Sequence, residues 1–289
     1  MTREKLPDVL IREMKEADLA FAAKCTAAEG WVAENLTTLE GFFLHDPKGC
    51  FVAEENGRRV GICVATFYGN SGFIGELIVR PEARGRGVGA ELLNHGVQIL
   101  IDRGVKTVYL DGEVRAVGLY QRNGFRKICR SCRFSGHLSG KLSSKVRQMA
   151  TSDLDQVFKL DRSSFGEDRS FFLRRRLYLF PELCYVMVDG DRLTGFILGR
   201  GGEDWVSAGP WVVSEDAENP IDLISAFTFK VGERPISIGI LETNPQACDL
   251  VRSIGLQERV ESPWRMALGK PDDLGASPRC YAVGSGAKG

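Results

Sequence analysis

Net charge is what this sequence most plainly lacks: 38 lysines and arginines offset 38 aspartates and glutamates over 289 residues, for a formal charge of zero. Without a global field, nothing draws the whole chain to nucleic acid or to an acidic membrane, and only a local basic patch stays open. No apolar run approaches the roughly 18 residues of a membrane span, and Met1-Thr2-Arg3-Glu4-Lys5-Leu6-Pro7-Asp8 has no apolar core of signal-peptide type. The expectation is a cytoplasmic protein with neither a membrane nor a nucleic-acid partner. Histidine is scarce as well. The three present, His45, His95 and His137, form no constellation with a nucleophile and read as structural or solvated. Eight cysteines are scattered through apolar, strand-like runs, which suits buried free thiols better than a disulfide framework. Cys129 and Cys132 are the one close pair, and residues three apart on a strand point to opposite faces, so no metal site is expected.

What is present is ordinary globular material, 43% hydrophobic and 26% charged, in a length comfortable for two domains. Its organising stretch is residues 73 to 89. Phe73 to Val79 is apolar apart from Gly75 and Glu76 and reads as a short buried strand. Pro81 and the glycines end that strand, and from Ala90 the spacing of Leu92, Leu93, Val97, Leu100 and Ile101 fits one helix face. A Gly-rich turn that opens a helix offers free N–H groups and the positive end of the dipole to an anion; Arg84 and Arg86 add charge. Glu76 shares a strand face with Ile74 and Ile78 on strict alternation, and a carboxylate there needs either a polar cleft or a basic partner.

The chain repeats itself after about 135 residues. Ile11-Arg12-Glu13-Met14 with Asp18 returns as Val146-Arg147-Gln148-Met149 with Asp153. Cys50-Phe51-Val52 returns as Cys184-Tyr185-Val186, Gly75 as Gly209, and Leu119 to Phe125 as Leu250 to Leu256. The copies are expected over 1–138 and 139–270, with a linker near 135–143. A Gly-, Ser- and Pro-rich tail, 271–289, is expected to pack poorly. In the first copy the pattern predicts helices near 16–29, 36–46 and 115–123. A hairpin should join 50–55 to 59–68 through Asn56-Gly57, and a strand should run over 106–111.

Two motifs carry a resemblance. Arg84-Gly85-Arg86-Gly87-Val88-Gly89 resembles the Arg/Gln-x-x-Gly-x-Gly/Ala pyrophosphate loop of the GCN5-related N-acetyltransferases (GNAT), and Leu119-Tyr120-Gln121-Arg122-Asn123-Gly124-Phe125 resembles their Leu-Tyr-x-x-x-Gly-Phe. The resemblance covers roughly residues 10–270, with specific motifs only in the first half. It implies tandem α/β (α+β) folds, each a mixed, mostly antiparallel twisted sheet flanked by helices. It also implies acetyl-CoA as cosubstrate without a metal, and direct transfer of acetyl in a ternary complex to a primary amine of a small molecule. A non-catalytic acetyl-CoA-binding module and a protein or peptide N-acetyltransferase are the alternatives; monomer and homodimer both stay open. By the same resemblance the cofactor is held by Leu77, Ile78 and Val79 on the strand and by Arg84, Gly85, Arg86, Gly87, Val88 and Gly89 in the loop. Tyr120 protonates the departing thiolate, and Glu76 is either the amine-binding group or general base, or a structural ion pair.

One position departs from the family: Glu113 stands where many members have Asn. The second copy departs more widely. Glu218 replaces Arg84, Asn219-Pro220-Ile221-Asp222-Leu223 replaces the loop, and Val251 replaces Tyr120. A degenerate copy without cofactor is expected there, closing over the acceptor side. A chain cut near 140 is then expected to keep acetyl-CoA binding and lose acceptor selectivity.

Overall fold

The computed structural model describes residues 9–202, 204–271 and 274–289. The opening stretch 1–8, counted above with the first copy, and Asp272 and Asp273 of the tail lie outside the described residues. In the first half, β1 (Val9–Glu13) leads to α1 (Leu19–Ala28) and α2 (Leu36–His45). The hairpin β2 (Cys50–Glu55) and β3 (Arg58–Phe67) turns at Asn56 and Gly57, both at positive φ, as the Asn-Gly pair requires. Then come β4 (Ser71–Val79), α3 (Val88–Asp102), β5 (Thr107–Gly112), α4 (Val117–Arg122) and the long β6 (Arg126–Gly136). The second half repeats the order: β7 (Val146–Gln148), α5 (Leu154–Phe165), α6 (Ser170–Leu179), β8 (Cys184–Asp189), β9 (Arg192–Gly201) and β10 (Val206–Val213). After it come α7 (Ile221–Val231), β11 (Ile236–Leu241), α8 (Pro245–Ser253), β12 (Gln257–Glu258), β13 (Trp264–Gly269) and β14 (Cys280–Ala282).

The strands join into one mixed, mostly antiparallel sheet, ordered β1-β2-β3-β4-β5-β13-β6-β11-β10-β9-β8-β7, with helices packed on its faces. Its centre does not divide at 138/139. β13, from the end of the second half, lies between β5 and β6 of the first, while β6 pairs with β13 through residues 126–130 and with β11 through 131–136. Each half thus completes its sheet with a strand from the other, and a chain cut near 140 loses the strand between β5 and β6.

The tail is a second correction to the sequence reading. Far from packing poorly, β14 pairs with β10, Val283 N–H donates to the Gly239 carbonyl on β11 at 2.8 Å, and residues 280–283 are buried. The strands make room for the tail. A Cβ on Gly209 would lie 2.2 Å from the Val283 carbonyl oxygen, and one on Gly75 would lie 2.3 Å from that of Ala287. The repeated glycines of the two halves both make room for the same segment.

Candidate active site

The site begins with a fault in β4. Val64 pairs with Gly75 and Ile62 with Ile78, so Glu76 and Leu77 together oppose Cys63 in a β-bulge. Glu76 takes φ +49°, a conformation a non-glycine residue adopts only under constraint. The expected alternation therefore fails: Ile74 packs with α3, whereas Ile78 packs with α1 and α2 on the opposite face. Ahead of the bulge β4 has already left its parallel neighbour, because β4 and β5 pair only at 71–73 with 107–109. The gap widens into a cleft of about 770 Å³.

The cleft gathers most of the residues the sequence pointed to. Glu76, Leu77, Ile78, Val79, Arg84, Gly85, Gly87, Val88, Gly89 and Tyr120 all line it. Gly85 and Gly87 sit at φ +76° and +86°, and Gly87 is the N-cap of α3, so the loop lining the cleft opens a helix whose first amides have no intrahelical partner. The arginines are otherwise engaged. Arg84 donates from Nε to the Val79 carbonyl at 2.8 Å and pairs with Glu29, and Arg86 turns from the cleft to a two-pronged bond with Glu55 at 2.7 and 2.8 Å. Both guanidiniums are thus committed to carboxylates of the chain itself.

Tyr120 is 7% exposed, its ring edge-on to Phe125 at 6.1 Å. Gly112 makes room for that ring, since a Cβ there would lie 2.8 Å from Tyr120 Cε2. Burial, reinforced by Cys63 and Glu113, pushes the phenol above its ordinary range, so at neutral pH it carries its proton. The departure at Glu113 has a local explanation: Arg259, from the second half, donates to it at 2.7 and 3.3 Å.

Glu76 is 2% exposed; no N–H or hydroxyl donor reaches either carboxyl oxygen, and its carboxyl lies against that of Glu34. Burial, then the charge of Glu34, push it well above the usual carboxylate range. Glu34 itself is held by Arg200 of β9 at 2.5 and 3.1 Å. Burial raises the Glu34 pKa, but Arg200, Lys288 and the Glu76 carboxyl together outweigh that and take it down to about 2. Lys288 completes the cluster from the tail. Sequence reasoning missed Glu34, Arg200 and Lys288, because they lie in a loop, in the half expected to be without cofactor and in a tail expected to be loose. Gly75 and Gly209, matched in the repeat, stand beside a bulge in β4 and a register shift in β10, and the tail crosses both.

All eight cysteines are free and buried, Cys129 and Cys132 in different clusters. Among the described residues no group of His, Cys, Asp and Glu is placed to hold a metal ion, and no helix is long and apolar enough to cross a membrane.

Comparison with known proteins meets this geometry. Residues 14–125 match the model of the acetyltransferase (GNAT) family, and residues 157–282 match that of a further acetyltransferase (GNAT) domain. The chain belongs to the GNAT family. This two-domain GNAT protein is 36% identical over 103 residues to a mycothiol acetyltransferase of Acidimicrobium ferrooxidans, covering 33% of each chain. It is 25% identical over 170 residues to a thialysine N-epsilon-acetyltransferase of Sus scrofa, covering 48% of this chain and 100% of that one. The chain thus spans about a third of the first relative and all of the second. In fold it is similar to a proposed acetyltransferase from Pyrococcus horikoshii, at TM-score 0.82 and 22% identity over 100% of this chain and 99% of that one. A tandem GNAT protein from the clavulanic acid pathway gives TM-score 0.63 at 13% identity over 92% and 100%.

Proposed function

We propose that this GNAT protein transfers acetyl from acetyl-CoA to the primary amine of a small molecule, by direct attack in a ternary complex. The observation that carries the reading is one cleft in which a glycine-bounded helix N-terminus, the unpaired edge of bulged β4, Tyr120 and Glu76 share a wall. The fit to the cosubstrate is physical. The amides of 85–89 form a cradle for a pyrophosphate, and β4 beyond residue 73 has no β5 neighbour, so Leu77 and Val79 present backbone to an extended pantetheine arm. Acetyl-CoA supplies the activated acyl group.

The residues supply the proton transfers. Glu76, at the base of the splay, accepts a proton from the amine as the N–C bond forms; Tyr120, protonated at neutral pH, gives its proton to the sulfur as the C–S bond breaks. Asn244 of the second half, where the family's Asn would stand in a working copy, is turned to structure, accepting from Ala247 N–H at 3.0 Å and donating to the Pro278 and Cys280 carbonyls. The tail strand fills the split between β10 and β11, which is why we assign no cofactor to that half. Its contribution is to the acceptor end, where Ser237, Arg259 and Ala287 line the cleft. The relatives named for mycothiol and thialysine acetylation support a small amine as acceptor.

Titration calorimetry with the full-length protein tests the cosubstrate. Acetyl-CoA should bind with a 1:1 stoichiometry, and Gly87→Val, which forces a β-branched side chain into φ +86°, should weaken binding at least tenfold. Two sites per chain would overturn the one-cleft reading.

A further inference from the structure

Four arginines are buried among the described residues, and three of them are matched to a carboxylate: Arg169 to Asp161, Arg200 to Glu34 and Arg265 to Asp111, at 2.5 to 2.8 Å. Arg176 of α6 is the exception. It is 8% exposed and reaches no carboxylate among the described residues; its acceptor there is the Gly209 carbonyl, 3.1 Å from Nη1. A lone buried charge is costly unless a counter-charge meets it, and a guanidinium does not shed its proton as an amine can. Burial, then the neighbouring Arg200, bring the Arg176 pKa down to about 9, which still leaves it charged at neutral pH.

Arg176 opens onto a cavity of about 40 Å³ at the seam of the two halves, lined by Thr38 and Gly41 of α2, Phe172 of α6, Arg200 of β9 and Lys288 of the tail as well. The lining is one-sided in charge. Arg200 gives its two Nη groups to Glu34 and Thr38, while its Nε, buried, meets no acceptor. Arg175, also on the cavity wall, turns to the Thr37 carbonyl at 3.2 Å and to Glu40 at 3.6 Å. Lys288 Nζ stands 4.5 and 5.3 Å from the ring centroids of Phe42 and Phe172. The Arg200–Glu34 and Arg175–Glu40 pairs cancel. Lys288, brought down to about 7 by burial, can lose its proton or answer the fields of Glu34 and Glu76. In every one of these states the charge of Arg176 is left over.

We propose that this cavity is a binding site for one small monovalent anion of chloride size, held by Arg176 and the free Nε–H of Arg200. The volume is several times the roughly 10–15 Å³ that one water demands, and far below what a nucleotide or a coenzyme would fill. The site is separate from the acetyl-transfer cleft: Glu34 lines the cleft and Arg200 the cavity, so their ion pair is the wall between the two. Its walls come from both halves and the tail, so the anion binds only the folded chain and stabilises the seam by mass action.

The test is urea unfolding of the full-length protein at fixed ionic strength, with chloride replacing gluconate, whose carbon chain does not fit the cavity. Once chloride exceeds its dissociation constant, each tenfold rise should lower the unfolded-to-folded ratio about tenfold. Arg176→Met should abolish that dependence, and Arg58→Gln, which removes an exposed arginine, should keep it. Chlorine NMR reads the site without unfolding: excess broadening of the chloride line should appear with the parent and vanish with Arg176→Met, or with Arg176→Gln should the methionine variant not fold. A parent without chloride dependence, or one whose dependence and line broadening the Arg176 variants share, overturns the inference.

Discussion

Tyr120 and Glu76 are both buried and both raised, yet to opposite ends. A phenol pushed up by burial is a proton donor at any physiological pH, whereas a carboxylic acid pushed up is a base only while something holds its charge. Stability and function should therefore part company at Glu76. Its folded pKa lies above the unfolded value of about 4.3, so its contribution to stability is fully present below that pH and is lost as pH rises through the folded value. Glu76→Gln removes this slope: thermal unfolding at pH 7 should give a melting temperature equal to or above the parent, while turnover falls by about 10²-fold or more. Glu34 works in the other sense. Depressed to about 2, it stabilises above about pH 4.3, and that contribution is lost as pH falls toward 2. Arg200→Met, which strands a buried carboxylate, should cost about 3–5 kcal/mol in denaturant unfolding; a loss under 1 kcal/mol would mean that water reaches Glu34. Tyr120 was legible because its motif is local, seven residues on one helix and turn. Glu76 was singled out by its chemistry, but its direction was misread, since a bulge leaves no mark in a strand of β-branched residues. Glu34 and Lys288 carried no mark at all.

At the scale of elements, the bulges and the tail form one device. Gly75 and Gly209 each stand just past the last residue at which a strand pairs with its parallel neighbour, and the tail crosses both. In the second half it fills the parting; in the first it passes beside the bulge and leaves the cleft open. A Cβ at either glycine would meet a tail carbonyl at 2.2 or 2.3 Å, and backbone cannot rotate away as a side chain can. Gly75→Ala should accordingly destabilise by at least about 1–3 kcal/mol in denaturant unfolding and raise the proteolysis rate within 283–289. Stability without tail release would show that the tail holds its course by other contacts. The repeat that exposed these glycines was readable for a reason visible in the fold. Arg12 pairs with Asp18, and Arg147 with Asp153, each closing at 2.7 Å the turn that leads into the first helix of its half. Residues that fold back on near neighbours leave a motif; residues that meet across 200 positions leave none.

The whole molecule is less divisible than its sequence. Two copies were legible from their spacing, and the family models match both, but strand exchange through β13 and β6 could not be read from either copy alone, because it pairs segments more than 130 residues apart. The expectation that the first half survives a cut near 140 gives way on physical grounds: without β13 the ladders of β5 and β6 stand open inside the core. Expressed alone, residues 1–140 should be aggregated or unfolded by circular dichroism, and co-expression with 141–289 should restore a soluble pair; a folded, acetyl-CoA-binding fragment would show that β5 and β6 can close on each other. The central claim is that one cleft, assembled by both halves, moves acetyl from a thioester to an amine. Its most direct test is free-thiol release from acetyl-CoA by the full-length protein, across polyamines, arylalkylamines, amino acids, aminoglycosides and short peptides, with Tyr120→Phe beside it. The account predicts turnover with one class of small amine, and a fall of about 10²-fold or more in the Tyr120→Phe variant with acetyl-CoA affinity unchanged. Acetyl-CoA binding with no thiol released from any acceptor, or undiminished release by Tyr120→Phe, would contradict it.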